Sequence, residues 1–303
     1  MRWRKHGQIY AAPRLHEKLI SHAANPLAVL LSGDLYRVFF SGRDAAQRSS
    51  VGYVDLNVVT GVVEYVHDRP AFEHGAAGSF YSHGVSIGNC YTEAGRRYIL
   101  FMGWQCPPGL HWRGEIGRLA LDVEGNLKLD GDGPYMALDD CDPVSLSYPW
   151  VMGDPHNGYR MWYGSTLSWD AGNGEMLHVI NAADSRDGLH WQKRGLALPY
   201  EVGRAQAFSR PTVIGDAQSG YHMWFSYRGG PEVSYRIGYA SSADGVRWRL
   251  RLDETGMAPS ASGWDAEMIE YPFVFRHRDK LLMLYNGNDY GRTGFGMASC
   301  ECQ

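Results

Sequence analysis

An internal repeat constrains this chain more than any other feature of its sequence. An aromatic-rich strand pattern recurs five times: Arg37-Val38-Phe39-Phe40-Ser41-Gly42, Tyr98-Ile99-Leu100-Phe101-Met102-Gly103, Tyr159-Arg160-Met161-Trp162-Tyr163-Gly164, Tyr221-His222-Met223-Trp224-Phe225-Ser226 and Leu281-Leu282-Met283-Leu284-Tyr285-Asn286. Aligned on Phe40, Phe101, Tyr163, Phe225 and Tyr285, the copies stand 61, 62, 62 and 60 residues apart. A nearly constant step of this kind dictates a repeat architecture.

The flanking residues turn each copy into a multi-strand unit. Some 13 to 14 residues upstream lies a strand that usually opens with X-Pro: Asn25-Pro26, Tyr148-Pro149, Arg210-Pro211 and Tyr271-Pro272, with Gly84-Val85 in the second copy. Proline at the first residue of a strand costs no ladder hydrogen bond. Downstream comes a glycine-containing strand such as Val51-Gly52-Tyr53-Val54 or Ile237-Gly238-Tyr239-Ala240. A fourth strand is clearest where Ser185-Arg186-Asp187-Gly188-Leu189-His190-Trp191 matches Ser242-Ala243-Asp244-Gly245-Val246-Arg247-Trp248, because Asp-Gly is a tight-hairpin signal. The fifth copy ends at Gln303 before a fourth strand, while Trp3-Arg4-Lys5-His6-Gly7 resembles Trp191-Gln192-Lys193-Arg194-Gly195. The N-terminal segment is therefore expected to join the last unit and close a ring, which removes an open sheet edge.

The expectation is an all-β, single-domain five-bladed β-propeller over residues 1–303, with four-stranded antiparallel blades near 21–75, 78–135, 144–200, 207–255 and 265–303 plus 1–10. The competing architecture is an open solenoid, whose end repeats should carry polar caps.

Composition excludes several function classes. The formal charge of −4, with a pI near 6.3, offers no basic face for a phosphate backbone, so nucleic acid is not an expected partner. No apolar run is long enough for a membrane span, and the charged Met1–Gly7 stretch is not followed by the apolar segment of a secretory signal; a cytoplasmic location is expected. Five scattered cysteines, Cys90, Cys106, Cys141, Cys300 and Cys302, lack the paired spacing of a zinc site and read as reduced thiols, with Cys300 and Cys302 a weak Cys-x-Cys pair. No metal or cofactor is expected, and oligomeric state is not legible.

Five units with X-Pro openings and Ser-x-Asp-Gly-x-x-Trp turns resemble the propeller glycosidases: the arabinanase and β-xylosidase group, the invertase-like group and the mannoside phosphorylases. A bacterial glycosyl-hydrolase-like subgroup is more similar still, through Ser41-Gly42-Arg43-Asp44, Ser209-Arg210-Pro211, Gly263-Trp264-Asp265-Ala266-Glu267-Met268 and Tyr285-Asn286-Gly287-Asn288-Asp289-Tyr290-Gly291. The resemblance implies carboxylates just before the prolines of the innermost strands, facing the channel mouth. Here those positions hold Asn25, His83 and Gly84, Ser147 and Tyr148, Ser209 and Arg210, and Glu270 and Tyr271, so only one unit offers a carboxylate. The Asp that the arabinanase-like enzymes place on the first blade is Asn25, which puts a two-carboxylate hydrolysis in doubt.

The catalytic candidates are Glu267, Glu270 and Asp44. Strand alternation places Glu267 on the face of Tyr271 and Glu270 on the other, and the subgroup's Trp-Asp-x-Glu-Met pattern favours Glu267. Asp44 is either a second carboxylate or a partner of Arg43 or Arg48. The substrate-binding candidates are Arg43, Arg210, Arg228, His22, Asn25, His83, Trp104, Tyr148, Tyr271 and Asn288. Arg210 is a possible clamp for carboxylate or phosphate, or an ion-pair partner of Glu267. Trp104, Trp112, Tyr148 and Trp169 could stack on a sugar ring, whereas Trp162 and Trp224 belong to the core. A carbohydrate or sugar-containing small molecule is the expected partner. Three activities fit it: an enzyme acting on a glycosidic bond, a glycan-assembly transferase or phosphorylase, or a non-catalytic sugar-binding propeller.

Overall fold

In the computed structural model, which describes residues 1–154, 158–216 and 218–301, the chain is carried by twenty strands. They are β1 (Arg4–Tyr10); β2 (Ser21–Ser32), β3 (Leu35–Arg43), β4 (Ser49–Asn57) and β5 (Val62–Val66); β6 (Gly84–Glu93), β7 (Arg96–Gln105), β8 (Arg113–Leu121) and β9 (Leu127–Leu129); β10 (Ser145–Asp154), β11 (Gly158–Ser168), β12 (Leu177–Ser185) and β13 (Gln192–Leu196); β14 (Ala207–Asp216), β15 (Gly220–Arg228), β16 (Arg236–Ser242) and β17 (Arg249–Leu250); β18 (Glu270–His277), β19 (Lys280–Asn286) and β20 (Phe295–Glu301). The fold is all-β, and among the described residues no helix is long and apolar enough to cross a membrane.

The strands pair as one four-stranded and two eight-stranded sheets rather than as five separate ones. Each eight-stranded sheet consists of two antiparallel four-strand runs bridged by one parallel pair, Ser49↔Gly84 between β4 and β6 and His178↔Ala207 between β12 and β14. A single backbone pairing at the inner ends is enough to merge neighbouring runs. The four-stranded sheet is completed by β1, which runs antiparallel to β20.

The first strands of the runs pack on one another in a closed cycle, β2 on β6, β6 on β10, β10 on β14, β14 on β18 and β18 back on β2. An open row of sheets would leave β2 and β18 apart. Hydrogen bonds tie the cycle across sheets: the Asn89 amide bonds both the carbonyl and the N–H of Val151, and Thr212 Oγ1 donates to the Pro272 carbonyl at 2.8 Å.

The X-Pro pairs lie inside these strands, not at their first residues. In each first strand the ladder skips two residues against one on its partner, which is a β-bulge. The skipped pairs are Asn25-Pro26, Gly88-Asn89, Tyr148-Pro149, Arg210-Pro211 and Tyr271-Pro272. The second copy's equivalent is thus Gly88-Asn89, four residues beyond the expected Gly84-Val85. A bulge releases one ladder position, so a proline there forfeits no hydrogen bond. Asn25, Tyr148, Arg210 and Tyr271 all take positive φ, between 34° and 56°, a conformation rare outside glycine and enriched where structure serves a site.

The repeated aromatics fill the space between sheets. Phe40, Phe101, Phe225 and Tyr285 each face a glycine on the next strand (Gly52, Gly117, Gly238 and Gly296), and a Cβ at Gly117 would come within 2.1 Å of the Phe101 ring. The Asp-Gly turns differ from the tight hairpin expected of them. Gly188 and Gly245 alone take positive φ, while Asp187 and Asp244 bind the N–H groups two and three residues on, organising a longer loop.

The N-terminal match has a side-chain basis. Lys193 Nζ reaches Asp142 Oδ2 at 2.7 Å, and the Tyr163 hydroxyl donates to that oxygen at 2.9 Å. Lys5 Nζ reaches Asp265 Oδ2 at 2.6 Å, and the Tyr285 hydroxyl donates to it at 2.9 Å. Asp265, part of the acidic run before Pro272, is therefore a buried anchor for β1. Lys5→Ala leaves that carboxylate without its cation and is expected to cost about 1.5–3 kcal/mol, read as a lower urea midpoint at unchanged m-value. An unchanged midpoint would show that β1 is held by backbone pairing alone.

Candidate functional site

Where the inner strands converge, the structure holds a cavity of about 410 Å³. The bulges aim residues into it: Asn25, Tyr148 and Tyr271 line it directly, and Ala24, Ser147 and Ser209, which precede Asn25, Tyr148 and Arg210, share its wall. Arg43, Trp104, Trp112 and Arg228 complete the ring from loops and strand ends. Of the residues singled out from sequence, Arg43, Asn25, Trp104, Tyr148, Arg228 and Tyr271 are thus brought together.

The remaining candidates stand elsewhere. Asp44 is spent on its own turn. Its Oδ1 accepts from the N–H groups of Ala46 and Arg48, and its Oδ2 pairs with Arg48 Nε at 2.9 Å. Burial pushes its carboxyl up, but the backbone and side-chain bonds from Arg48 outweigh this and hold it below the usual range. Glu267 is exposed and outside the wall; strand alternation does not reach it, because β18 begins only at Glu270 and bulges at Tyr271. Asn288 braces that loop by accepting from the N–H groups of Glu267 and Met268. His22, with Nδ1 2.9 Å from Ser21 Oγ, and His83, with Nδ1 3.3 Å from Ser82 Oγ, lie outside the wall. Burial, with Arg43 and Arg292, pushes His22 down to about 4, so it is neutral. Trp169 supports the wall from behind, packed edge-to-face on Trp112. Cys302 lies outside the described residues.

Arg210 neither pairs with Glu267 nor lines the cavity. Only 2% exposed, it reaches from β14 across to two other inner strands, donating from Nη1 to the Tyr271 carbonyl at 2.6 Å and from Nη2 to the Pro26 carbonyl at 2.7 Å. It is a brace between first strands. Burial lowers its pKa to about 9.

Glu270 is fully buried and neither carboxyl oxygen has a hydrogen-bond partner among the described residues. Its chain neighbour Tyr271 lines the cavity, while Glu270 itself is buried outside the lining. Burial raises its pKa well above the usual carboxylate range, more than the Arg228 and Arg43 guanidiniums lower it. Burial thus favours its protonated form, the form able to give up a proton.

Two features of the wall were not singled out from sequence. Arg228 is held by Glu175, with Nε 2.7 Å from Oε2, and lies 4.8 Å from the Tyr235 ring. His178, 2% exposed, has Nε2 2.6 Å from Ser147 Oγ and Nδ1 2.7 Å from Thr166 Oγ1, a hydroxyl–imidazole–hydroxyl chain that fixes the serine at the cavity. The chain needs a glycine at 164, where a Cβ would sit 2.1 Å from Ser147 Oγ and 2.4 Å from His178 Nε2. The pairing Gly164↔Ser147 was legible only once register was known.

Burial pushes His178 down to about 4, so it is neutral in the fold while an unfolded histidine titrates near 6.5. Its contribution to stability is complete above about pH 6.5 and is lost as pH falls toward 4, roughly 3 kcal/mol in all. His178→Gln is expected to flatten the dependence of Tm on pH over that window, with His22 retaining a share of the slope. An equally steep slope in the variant would contradict a buried neutral imidazole at this position.

Two uncharacterized proteins of Mycobacterium tuberculosis, MT1551 and Rv1502, are each 42% identical to this chain over 303 residues, covering 99% of it and all of their own length. Among solved structures, BT0996 in its RGII complex superposes with a TM-score of 0.77 at 12% identity, over 99% of this chain and 92% of that one. A protein of the GH130 mannoside phosphorylase family gives 0.69 at 14% identity over 99% and 95%, and an endo-arabinase of Bacteroides thetaiotaomicron gives 0.64 at 13% over 95% and 98%. At such identities these structures show a shared fold. No family model matches the chain.

Proposed function

Because this chain belongs to one family with the two mycobacterial proteins, within the superfamily of glycoside-hydrolase-like propellers, we propose that it is a five-bladed propeller enzyme acting on a glycosidic bond at its inner cavity. The five-blade reading is supported by the five first strands in the closed cycle and takes each eight-stranded sheet as two blades touching at one backbone pair.

The observation that carries the enzymatic reading is Glu270. Cleaving a glycosidic bond requires a proton for the departing oxygen, and a carboxylic acid serves at neutral pH only if its environment keeps it protonated. Glu270 has that environment, two residues before the proline of its inner strand. Proton delivery would follow rearrangement of the tyrosine wall around Tyr271 once a sugar fills the cavity. Among the described residues the cavity wall itself carries no carboxyl side chain, so the reading assigns Glu270, buried next to the wall residue Tyr271, protonation of the leaving oxygen and leaves the attack on the anomeric carbon to water, whose released proton restores Glu270. Trp104, Trp112 and Tyr148 give the apolar surface on which a sugar ring stacks, and Asn25, Ser147 and Ser209 the hydrogen-bonding groups for its hydroxyls.

Glu270→Gln keeps the shape and removes the proton. It is expected to lower turnover on whichever aryl glycoside or oligosaccharide the wild type cleaves by about 10²–10⁴-fold. Glu267→Gln should leave turnover within a factor of two. Wild-type inactivity across a broad glycoside panel, or full activity of the Glu270 variant, would overturn the assignment.

A further inference from the structure

The charges around the cavity do not balance. Two charged side chains face it, Arg43 and Arg228, and Arg228 is already neutralised by Glu175 at 2.7 Å. Arg43 has no carboxylate partner among the described residues; its side-chain bond runs from Nη1 to Gln47 Oε1 at 3.3 Å. Its neighbour Asp44, the nearest acid in sequence, is turned into its own loop and committed to Arg48. A second guanidinium, Arg210, sits behind the wall bonded only to backbone carbonyls. With Glu175 committed to Arg228 and Asp44 to Arg48, the remaining buried carboxyl nearby is Glu270 among the described residues, and burial biases it toward its protonated form.

The cavity is therefore walled by aromatic rings and hydroxyls under a field of uncompensated positive charge, in a chain whose overall formal charge is −4. A positive field is not a by-product of composition here. Partly buried cations without counter-charge are costly, and a ligand that brings the missing anion gains both the pairing and relief from that cost. A guanidinium matches a planar carboxylate or a phosphate through paired N–H donors.

Resting on the sugar-acting reading above, we infer that the substrate is an anionic sugar, carrying a carboxylate or phosphate group that pairs with Arg43 while its ring occupies the aromatic part of the cavity. Arg43 is then a specificity-determining residue, separate from proton delivery by Glu270. Neutral sugars of the same shape leave the field unanswered and bind weakly.

Calorimetric titration of the full chain with matched sets tests this: glucose, glucuronate and glucose 1-phosphate; galactose, galacturonate and galactose 1-phosphate; mannose, mannuronate and mannose 1-phosphate; and inorganic phosphate alone. One anionic member is expected to bind at least tenfold more tightly than its neutral partner, with the carboxylate and phosphate arms deciding which group is recognised. That advantage should vanish in Arg43→Gln and return in part in Arg43→Lys; Arg43 is half-exposed, so both variants should fold, as circular dichroism would verify. Equal binding of neutral and anionic members, or a preference that survives Arg43→Gln, overturns the inference. So does inorganic phosphate binding as tightly as every sugar phosphate. Glycoside turnover without anionic preference sinks this inference while the sugar-acting reading stands; phosphate binding with no sugar of any kind sinks that reading as well.

Discussion

The site depends on a backbone constraint, the bulge that interrupts every inner strand at the same place. A regular strand would send alternate side chains to the two faces of its sheet and none toward the space enclosed by the ring. One extra residue against the partner, with a left-handed φ at four of the five bulges, breaks that alternation and turns Asn25, Tyr148, Arg210 and Tyr271 inward. Proline locks each of those bends at no hydrogen-bonding cost. Residues roughly sixty positions apart in the chain meet because the same local device is repeated around the cycle.

What those positions do then depends on burial acting against charge. Arg210 keeps its cation by bonding carbonyls of two other inner strands and becomes structural. Glu270 finds no donor among the described residues, and burial favours its protonated form. Arg43, half-exposed, has no carboxylate partner among the described residues, and Arg228 is matched by Glu175. Four ionisable side chains near one cavity thus take four different states, each set by what the backbone around them can supply.

The fold was legible because its signal is periodic. The aromatic strand recurs at a constant step, and the likeness of Trp3–Gly7 to Trp191–Gly195 is explained by two equivalent Lys–Asp–Tyr clusters. Sheet count was not legible, since a single pair such as Ser49↔Gly84 merges two units and leaves no trace in composition. Site residues were legible only where position on the repeat determines direction, as for Asn25, Tyr148 and Tyr271. Glu267 was misjudged because strand alternation was extended into a loop. For Asp44 the sequence left two readings open, a second carboxylate or a partner of Arg43 or Arg48, because a carboxylate that caps its own turn looks, in sequence, like one awaiting a substrate; the structure pairs it with Arg48. His178 and Glu175 escaped notice because their roles arise from register and packing with Ser147 and Arg228, residues from other strands.

At the centre of the proposed chemistry is a carboxyl group that stays neutral beneath an aromatic wall while cations lie close to it. Infrared difference spectroscopy reads that state directly. At neutral pH the wild type should show the carbonyl stretch of a protonated carboxylic acid that disappears in Glu270→Gln, with no matching loss of carboxylate intensity. Loss of a carboxylate band instead, with no protonated-acid band to lose, would mean that Glu270 is ionised by its arginine neighbours, and the case for it as the proton donor would fail.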